Sequence, residues 1–248
     1  MPTKEFAEAT RVSTSFLASA ERRCLHWMAV RIPSQINSDH LTALALVAML
    51  MTGASYWMAR INRVGLVAAI VWLAVNWFGD SLDGTLARVR GHQRPRYGFY
   101  VDHVVDAFGA LFLIGGLGLS GYMSPLVAMG LLLAYFLISI EVYLATYCRG
   151  HFRLSFWKVG PTELRLLLCA GTLVLLVHPT AMLWGESYRL FDIGGSIAAA
   201  ALAFTTVVSA MQNTRALFNA EPLPKQRAAG SRQPAVVSSV LTGLKPKA

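Results

Sequence analysis

The chain has 248 residues, 55% of them hydrophobic and only 14% charged, with a mean hydropathy of +0.49, which excludes an ordinary soluble globular domain. Its formal charge of +9 invites a nucleic-acid partner. The lysines and arginines instead gather in the segments between apolar stretches, a distribution that sets orientation in a bilayer and implies no nucleic acid.

Residues 14–31, TSFLASAERRCLHWMAVR, interleave Phe16, Leu17, Leu25, Met28 and Val30 with Arg22, Arg23 and Arg31. That pattern predicts an amphipathic helix lying in the membrane interface, or a cytoplasmic helix packed on the bundle. Pro33 closes it, and Ser38 or Asp39 offers a side-chain oxygen to cap the first span. Apolar windows near 41–59, 65–87, 98–119, 122–146, 164–184 and 194–217 each approach the roughly 20 residues that a transmembrane helix needs. The first window comes after a charged segment of about 40 residues and lacks a removable signal peptide's layout. Short polar linkers join the windows; the longer ones are 149–163 and 178–192. Beyond residue 220 the chain is rich in Pro, Lys, Arg, Gly, Ser and Gln, a composition of disordered tails.

The expected fold is therefore an all-α integral membrane protein. Residues 1–37 form a cytoplasmic segment with an interfacial helix, 38–219 a six-helix membrane catalytic domain, and 220–248 a disordered basic tail. With a cytoplasmic N-terminus, every Lys and Arg except Arg60, Arg63 and Arg189 falls on the inner side, as the positive-inside rule requires of six spans with both termini in the cytoplasm. Cys24, Cys148 and Cys169 are widely spaced and odd in number, which predicts reduced packing residues and no disulfide or metal knuckle.

The chemistry concentrates in GDSLDGTLARVRGHQRPRYGFYVDHVVDAFG, residues 79–109. Asp80 and Asp83 are three apart and Asp102 and Asp106 four apart, so each pair shares a helix face. Gly84 and Ala87 lie beside the first pair, and Gly98 one turn before the second. The second and third spans run antiparallel through the loop 90–97, which brings both pairs to the cytoplasmic surface. Four ionised carboxylates at the edge of a low-dielectric region require cations. Hard oxygen ligands suit Mg²⁺ or Mn²⁺, and two such ions can grip a pyrophosphate during an in-line displacement. Taken singly, any of these aspartates could be a structural hydrogen-bond partner, as Asp39 and Asp192 are expected to be. Together, the eight fixed positions have a chance probability on the order of 10⁻¹⁰ per start site at a residue usage of roughly 6%.

This pattern, D-x2-D-G-x2-A-R-x9-G-x3-D-x3-D, resembles the signature of the CDP-alcohol phosphotransferase family, and Asp80, Asp83, Gly84, Ala87, Arg88, Gly98, Asp102 and Asp106 match every fixed position. The resemblance implies a homodimeric six-helix membrane enzyme of lipid synthesis. Such an enzyme uses two divalent metals to pass a substituted phosphate from a CDP-linked donor to an alcohol, releasing CMP. The four aspartates would hold the metals, with Asp80 and Asp83 also lining the CDP site. Gly84, Ala87 and Gly98 would leave room for the nucleotide, Arg88 would reach a phosphate, and Asp106 would be the base. VDHVVDA also resembles the version found in choline/ethanolamine phosphotransferases, which makes His103, with Glu163 of GPTELR, candidate catalytic residues. Arg149, Arg153, Lys158 and Arg165 are the natural place for an acceptor pocket that binds a phosphate, or, taken singly, basic residues that only obey the positive-inside rule. The entry NSDHLT departs from the family's PNxLT, with Ser38 and Asp39 at the Pro and Asn positions.

Two other readings compete. Intramembrane prenyltransferases carry Asp-rich motifs, and Asn76 with Asp80 resembles theirs, but they need a second distant motif that this sequence lacks. A cation transporter would place its carboxylates near the bilayer midplane, not beside a basic loop. For the enzyme, short linkers with high Ala and Arg usage point to a bacterial inner membrane and so to CDP-diacylglycerol as donor; His103 and Glu163 point to CDP-choline or CDP-ethanolamine.

Overall fold

The apolar windows form helices that run past their hydrophobic limits into the polar residues of the site. A computed structural model describes residues 18–149, 161–183 and 185–221. In chain order these form α1 (Ala18–Arg31), α2 (Ser38–Ala59), α3 (Val64–Val89), α4 (Pro95–Leu119), α5 (Pro125–Arg149), α6 (Pro161–Val177), the strands β1 (Thr180–Leu183) and β2 (Glu186–Arg189), and α7 (Leu190–Ala220). Helices α2, α3, α4, α5 and α7 are long and apolar enough to cross a membrane. The chain is a multi-pass membrane protein.

The fifth expected span is shorter than its window. Helix α6 has 17 residues, about 26 Å at 1.5 Å per residue, against a hydrocarbon core of about 30 Å. Pro179 stops it, because proline disfavours helical geometry in the residue before it. The chain then turns back as an antiparallel hairpin, pairing Thr180 with Arg189 and Leu183 with Glu186, with Gly185 at φ +86° in the turn. This two-stranded hairpin is a local exception to the all-α expectation.

Helices α2 and α3 pack closest. A side chain at Gly65 would collide with the Ser55 carbonyl oxygen, and one at Gly79 would stand 2.7 Å from that of Leu41. Gly53 and Gly116 do the same where α2 crosses α4. Backbones this close are the usual means of association between apolar helices in lipid, where no hydrophobic force drives them together. Asn76 of α3 donates to the Ala45 carbonyl at 3.0 Å, and the Tyr56 hydroxyl meets Thr172 Oγ1 at 2.6 Å, tying α2 to α6. One core cluster, including Tyr56, Leu66, Ile114, Leu175 and Phe191, fills the end of the bundle away from the acidic residues.

The second cluster joins α1 to the bundle through Leu25, Ala29, Leu41, Leu82 and Leu86. At the start of α1, Glu21 Oε1 accepts hydrogen bonds from Trp77 Nε1 (3.0 Å), Ser81 Oγ (3.4 Å) and Thr162 Oγ1 (2.7 Å). Past its end, the carbonyls of Ile32, Pro33 and Ile36 accept from the Arg90 guanidinium. Helix α1 therefore runs alongside the last turns of α3 and packs on the bundle.

Several local expectations change. The N-cap of α2 is Asn37, whose N–H donates to His40 Nδ1 at 3.2 Å. Ser38 and Asp39 do not cap, because both are drawn into longer-range contacts. Cys24 and Cys148 are exposed, so only Cys169 packs even partly; all three are free. Asp39 and Asp192 serve as structural partners: Asp39 pairs with Arg94 at 2.5 Å, and Asp192 Oδ1 accepts the Ser124 N–H at 2.5 Å ahead of α5. The expectations for the tail 220–248 and for the first residues concern segments mostly outside the described residues.

Candidate active site

The site forms where the last turns of α3 face the first turns of α4. Gly91, at φ +66°, opens the connection between them, and Pro95 starts α4, a position where its missing N–H has no partner to lose. One carboxylate oxygen each from Asp80, Asp102 and Asp106 lies within 4.8 Å of the other two. All three residues are half-buried. Three like charges at that separation repel strongly unless a cation stands among them. One does: Arg165, entering from the second turn of α6, donates Nη2 to Asp80 Oδ2 at 2.6 Å.

Asp83 is turned differently. Its Oδ2 accepts from Thr42 Oγ1 at 2.6 Å and its Oδ1 from the Gly84 N–H at 2.5 Å, while Ser38 Oγ donates to its backbone carbonyl at 2.9 Å. The four predicted acids thus separate into a converging trio and a fourth held by the start of α2. Thr42 and Ser38 are the site residues that sequence reasoning missed. Their signal was the NSDHLT segment, which in the sequence registers only as a departure from a family pattern.

The small residues of the signature have space in front of them. Among the described residues, a Cβ at Gly84 would meet only the tip of Arg88, at 3.5 Å, and one at Gly98 would meet nothing within 4 Å. These glycines are not required by helix packing, unlike Gly53, Gly65, Gly79 and Gly116. They leave helix backbone open to an approaching molecule. Ala87 is half-buried on the same stretch, and exposed Arg88 receives support from Thr85, whose Oγ1 accepts its Nη2 at 3.0 Å.

His103 sits beside Asp102 against aromatic rings. Its ring stacks on Phe99 with centroids 4.1 Å apart and meets Tyr143 of α5 edge-on at 4.7 Å. Nδ1 lies 2.6 Å from the Phe99 carbonyl oxygen and 3.8 Å from Asp102 Oδ2. A carbonyl only accepts, so Nδ1 carries the hydrogen, and in the neutral ring Nε2 is the basic nitrogen. Glu163 is half-buried in the first turn of α6. It lies two residues from Arg165, about 200° around the helix from the side chain that meets Asp80.

The expected acceptor set is divided. Arg165 belongs to the acidic cluster. Arg149, at the end of α5, donates to Asn213 Oδ1 of α7, and Asn213 in turn donates to Glu141 at 2.6 Å. Arg153 and Lys158 lie outside the described residues. In the loop before α4, Arg90 holds the α1–α2 connection, and Arg94 pairs with Asp39 and lies 4.0 Å over the Tyr97 ring.

The sequence profile of the CDP-alcohol phosphatidyltransferase family matches residues 36–210, most of the chain. The chain belongs to this family. It is accordingly a CDP-alcohol phosphotransferase, and the matched region contains the whole acidic cluster. Among solved structures, it is similar to a phosphatidylinositol phosphate synthase (PgsA1) from Mycobacterium tuberculosis, determined with CDP-DAG bound. The two share 20% identity with a TM-score of 0.53, covering 84% of this chain and 99% of that one. That likeness is one of fold. No curated protein sequence matches significantly.

The family is generally divalent-metal dependent, and the converging trio fits such an ion. Oxygens sharing one Mg²⁺ at about 2.1 Å lie up to about 4.2 Å apart. The 4.8 Å spread of the Asp80, Asp102 and Asp106 oxygens is within a small side-chain rotation of that limit. All the donors are carboxylates, the ligand type that hard cations prefer.

Proposed function

We propose that this phosphotransferase moves the phosphatidyl group of CDP-diacylglycerol onto a small polar alcohol, releasing CMP, with two Mg²⁺ or Mn²⁺ ions at the acidic cluster. The observation that carries the reading is the convergence of Asp80, Asp102 and Asp106 beside open helix backbone at Gly84 and Gly98. Fold likeness to a synthase determined with CDP-DAG bound supports the donor. In this reading α6 completes a sixth crossing, both termini and the site face the cytoplasm of a bacterial inner membrane, and the chain works as a homodimer.

Asp80, Asp102 and Asp106 would hold the ions, with Asp83 as the fourth acid. Bound there, the ions supply neutralisation for the diphosphate and for charge developing on the leaving group. Gly84 and Ala87 let the cytidine side approach α3, and Arg88 binds a phosphate oxygen. Asp106 takes the proton of the acceptor hydroxyl. The hydroxyl oxygen bonds to the lipid-side phosphorus as the bond from that phosphorus to the CMP oxygen breaks. Arg149, Arg153, Lys158 and Arg165 form the acceptor pocket, where cationic side chains suit a phosphorylated alcohol.

A second reading, transfer from CDP-choline or CDP-ethanolamine to a lipid alcohol, draws support from His103. Its Nδ1, hydrogen-bonded to the Phe99 carbonyl and 3.8 Å from Asp102 Oδ2, makes Nε2 the basic nitrogen, and Glu163 would assist. Parallel assays of the purified protein decide between them. With Mg²⁺, CMP is expected from CDP-diacylglycerol plus mixed water-soluble alcohols. Release only from CDP-choline or CDP-ethanolamine plus diacylglycerol establishes the second reading, and release from neither donor rejects both.

A further inference from the structure

Among the described residues, one face of α1 is used for packing and the other is not. Leu25 and Ala29 are 6% and 2% exposed against α3, whereas Trp27 and Val30 on the other side are 57% and 61% exposed. Arg22, Arg23, His26, Trp27, Val30 and Arg31 line a shallow, open groove along that outer side. The groove is organised. The Arg31 guanidinium lies 4.0 Å over the Trp27 ring, and its Nη1 donates to the Trp27 carbonyl at 3.0 Å.

We propose that this groove is a docking site for the headgroups of anionic phospholipids in the surrounding bilayer. Three guanidiniums suit phosphate oxygens by charge and by fork geometry. Tryptophan and valine among them suit the glycerol and upper acyl region, where amphipathic rings settle at a membrane surface. Hydrogen bonds at both ends hold the helix to the bundle. Glu21 anchors its start to Trp77, Ser81 and Thr162, and Arg90 anchors the chain beyond its end. Ser81 adjoins Asp80, so the groove holds lipid at the end of the bundle that carries the acidic cluster. A soluble acidic protein would exploit the arginines but would leave the exposed Trp27 and Val30 without a lipid phase to enter.

The test uses the full chain in lipid nanodiscs with spin-labelled phosphatidylglycerol or spin-labelled phosphatidylcholine, reading the motionally restricted fraction by EPR. The wild type is expected to prefer phosphatidylglycerol. Combined Arg22→Gln, Arg23→Gln and Arg31→Gln should reduce that preference at least about fivefold, the order of magnitude for losing a surface cation near anionic lipid. A matched variant neutralising Lys225, Arg227 and Arg232 in the tail should keep it. Equal losses in both variants would mean diffuse charge and no site, and equal preference for the two lipids in the wild type would also overturn the proposal. Displacement of the lipid by inorganic phosphate at constant ionic strength would make the ligand a free anion, against the proposal. Circular dichroism of the triple α1 variant checks that helix content is retained.

Discussion

The α2–α3 pair and the α5–α7 pair are built on opposite principles. Of the apolar stretch of α2, 39% is buried, and of α3, 33%; for α5 and α7 the shares fall to 17% and 6%. Between α2 and α3 lie glycines with no room for a methyl group. Between α5 and α7, contact near the site is polar instead, with Glu141 accepting from Ser209 at 2.8 Å and from Asn213. The tight pair carries Asp80 and Asp83 at its end, so two of the four acids stand on the most closely packed part of the bundle. A cage for metal ions needs its ligands held to within a fraction of an ångström. The looser pair brings Tyr143 against His103 and presents apolar surface to lipid or to another subunit.

Substitutions sharpen this contrast. The largest effect is expected from Asp106→Asn, which should lower the rate of CMP release by at least about 10³-fold, since in the proposed mechanism it removes both a metal ligand and the base. Its thermal unfolding midpoint should hold or rise, because one of three crowded like charges is gone.

Next come the glycines. Gly65→Leu should destabilise the protein by about 3 kcal/mol or more, seen as a lowered unfolding midpoint or a failure to express folded protein, because the neighbours are backbone atoms that cannot move aside. Gly84→Ala should behave in reverse. Helix propensity alone favours alanine by up to about 1 kcal/mol, so stability should hold or increase while the KM for the CDP-linked donor rises. A loss of stability at Gly84, or none at Gly65, would erase the distinction between packing glycines and site glycines.

An intermediate effect is expected from Glu21→Ala. Losing an acceptor shared by three donors on two other helices should destabilise the attachment of α1 by about 1–3 kcal/mol. Limited proteolysis within residues 18–37 should then proceed faster than in the wild type, with the cutting of α2–α4 unchanged. Smallest of all is Asp39→Asn. Its ion pair with Arg94 is exposed on both sides and screened by salt, so thermal unfolding should show no measurable change.

Much of the acidic cluster was legible because its information is local. Spacings of three and four residues state that Asp80 and Asp83, and Asp102 and Asp106, share faces, and the basic loop between them states that the faces meet. Contacts made across 40 or more residues leave no such trace. Nothing periodic tells that Arg165 reaches Asp80, that Arg90 collects the carbonyls of Ile32, Pro33 and Ile36, or that Thr42 takes the Asp83 carboxylate. Those contacts depend on how helix surfaces dock. The length of the helix in the fifth apolar window was overstated for a related reason: hydropathy registers apolar residues through 164–184, but Pro179 ends the helix, and the next apolar residues belong to strand β1. Conversely, the arginines of 88–96, which as a group satisfy the positive-inside rule, prove to have separate structural duties at Arg90 and Arg94.

The central claim is that carboxylates from two neighbouring helices make one divalent-metal cage. Titration of the purified protein with Mn²⁺, counting bound ions from the loss of the free-ion EPR signal, tests it most directly. The wild type should bind about two ions per chain saturably, and combined Asp80→Asn, Asp102→Asn and Asp106→Asn should abolish that binding in a protein that still folds. Unchanged Mn²⁺ affinity and stoichiometry in the triple variant would contradict the account.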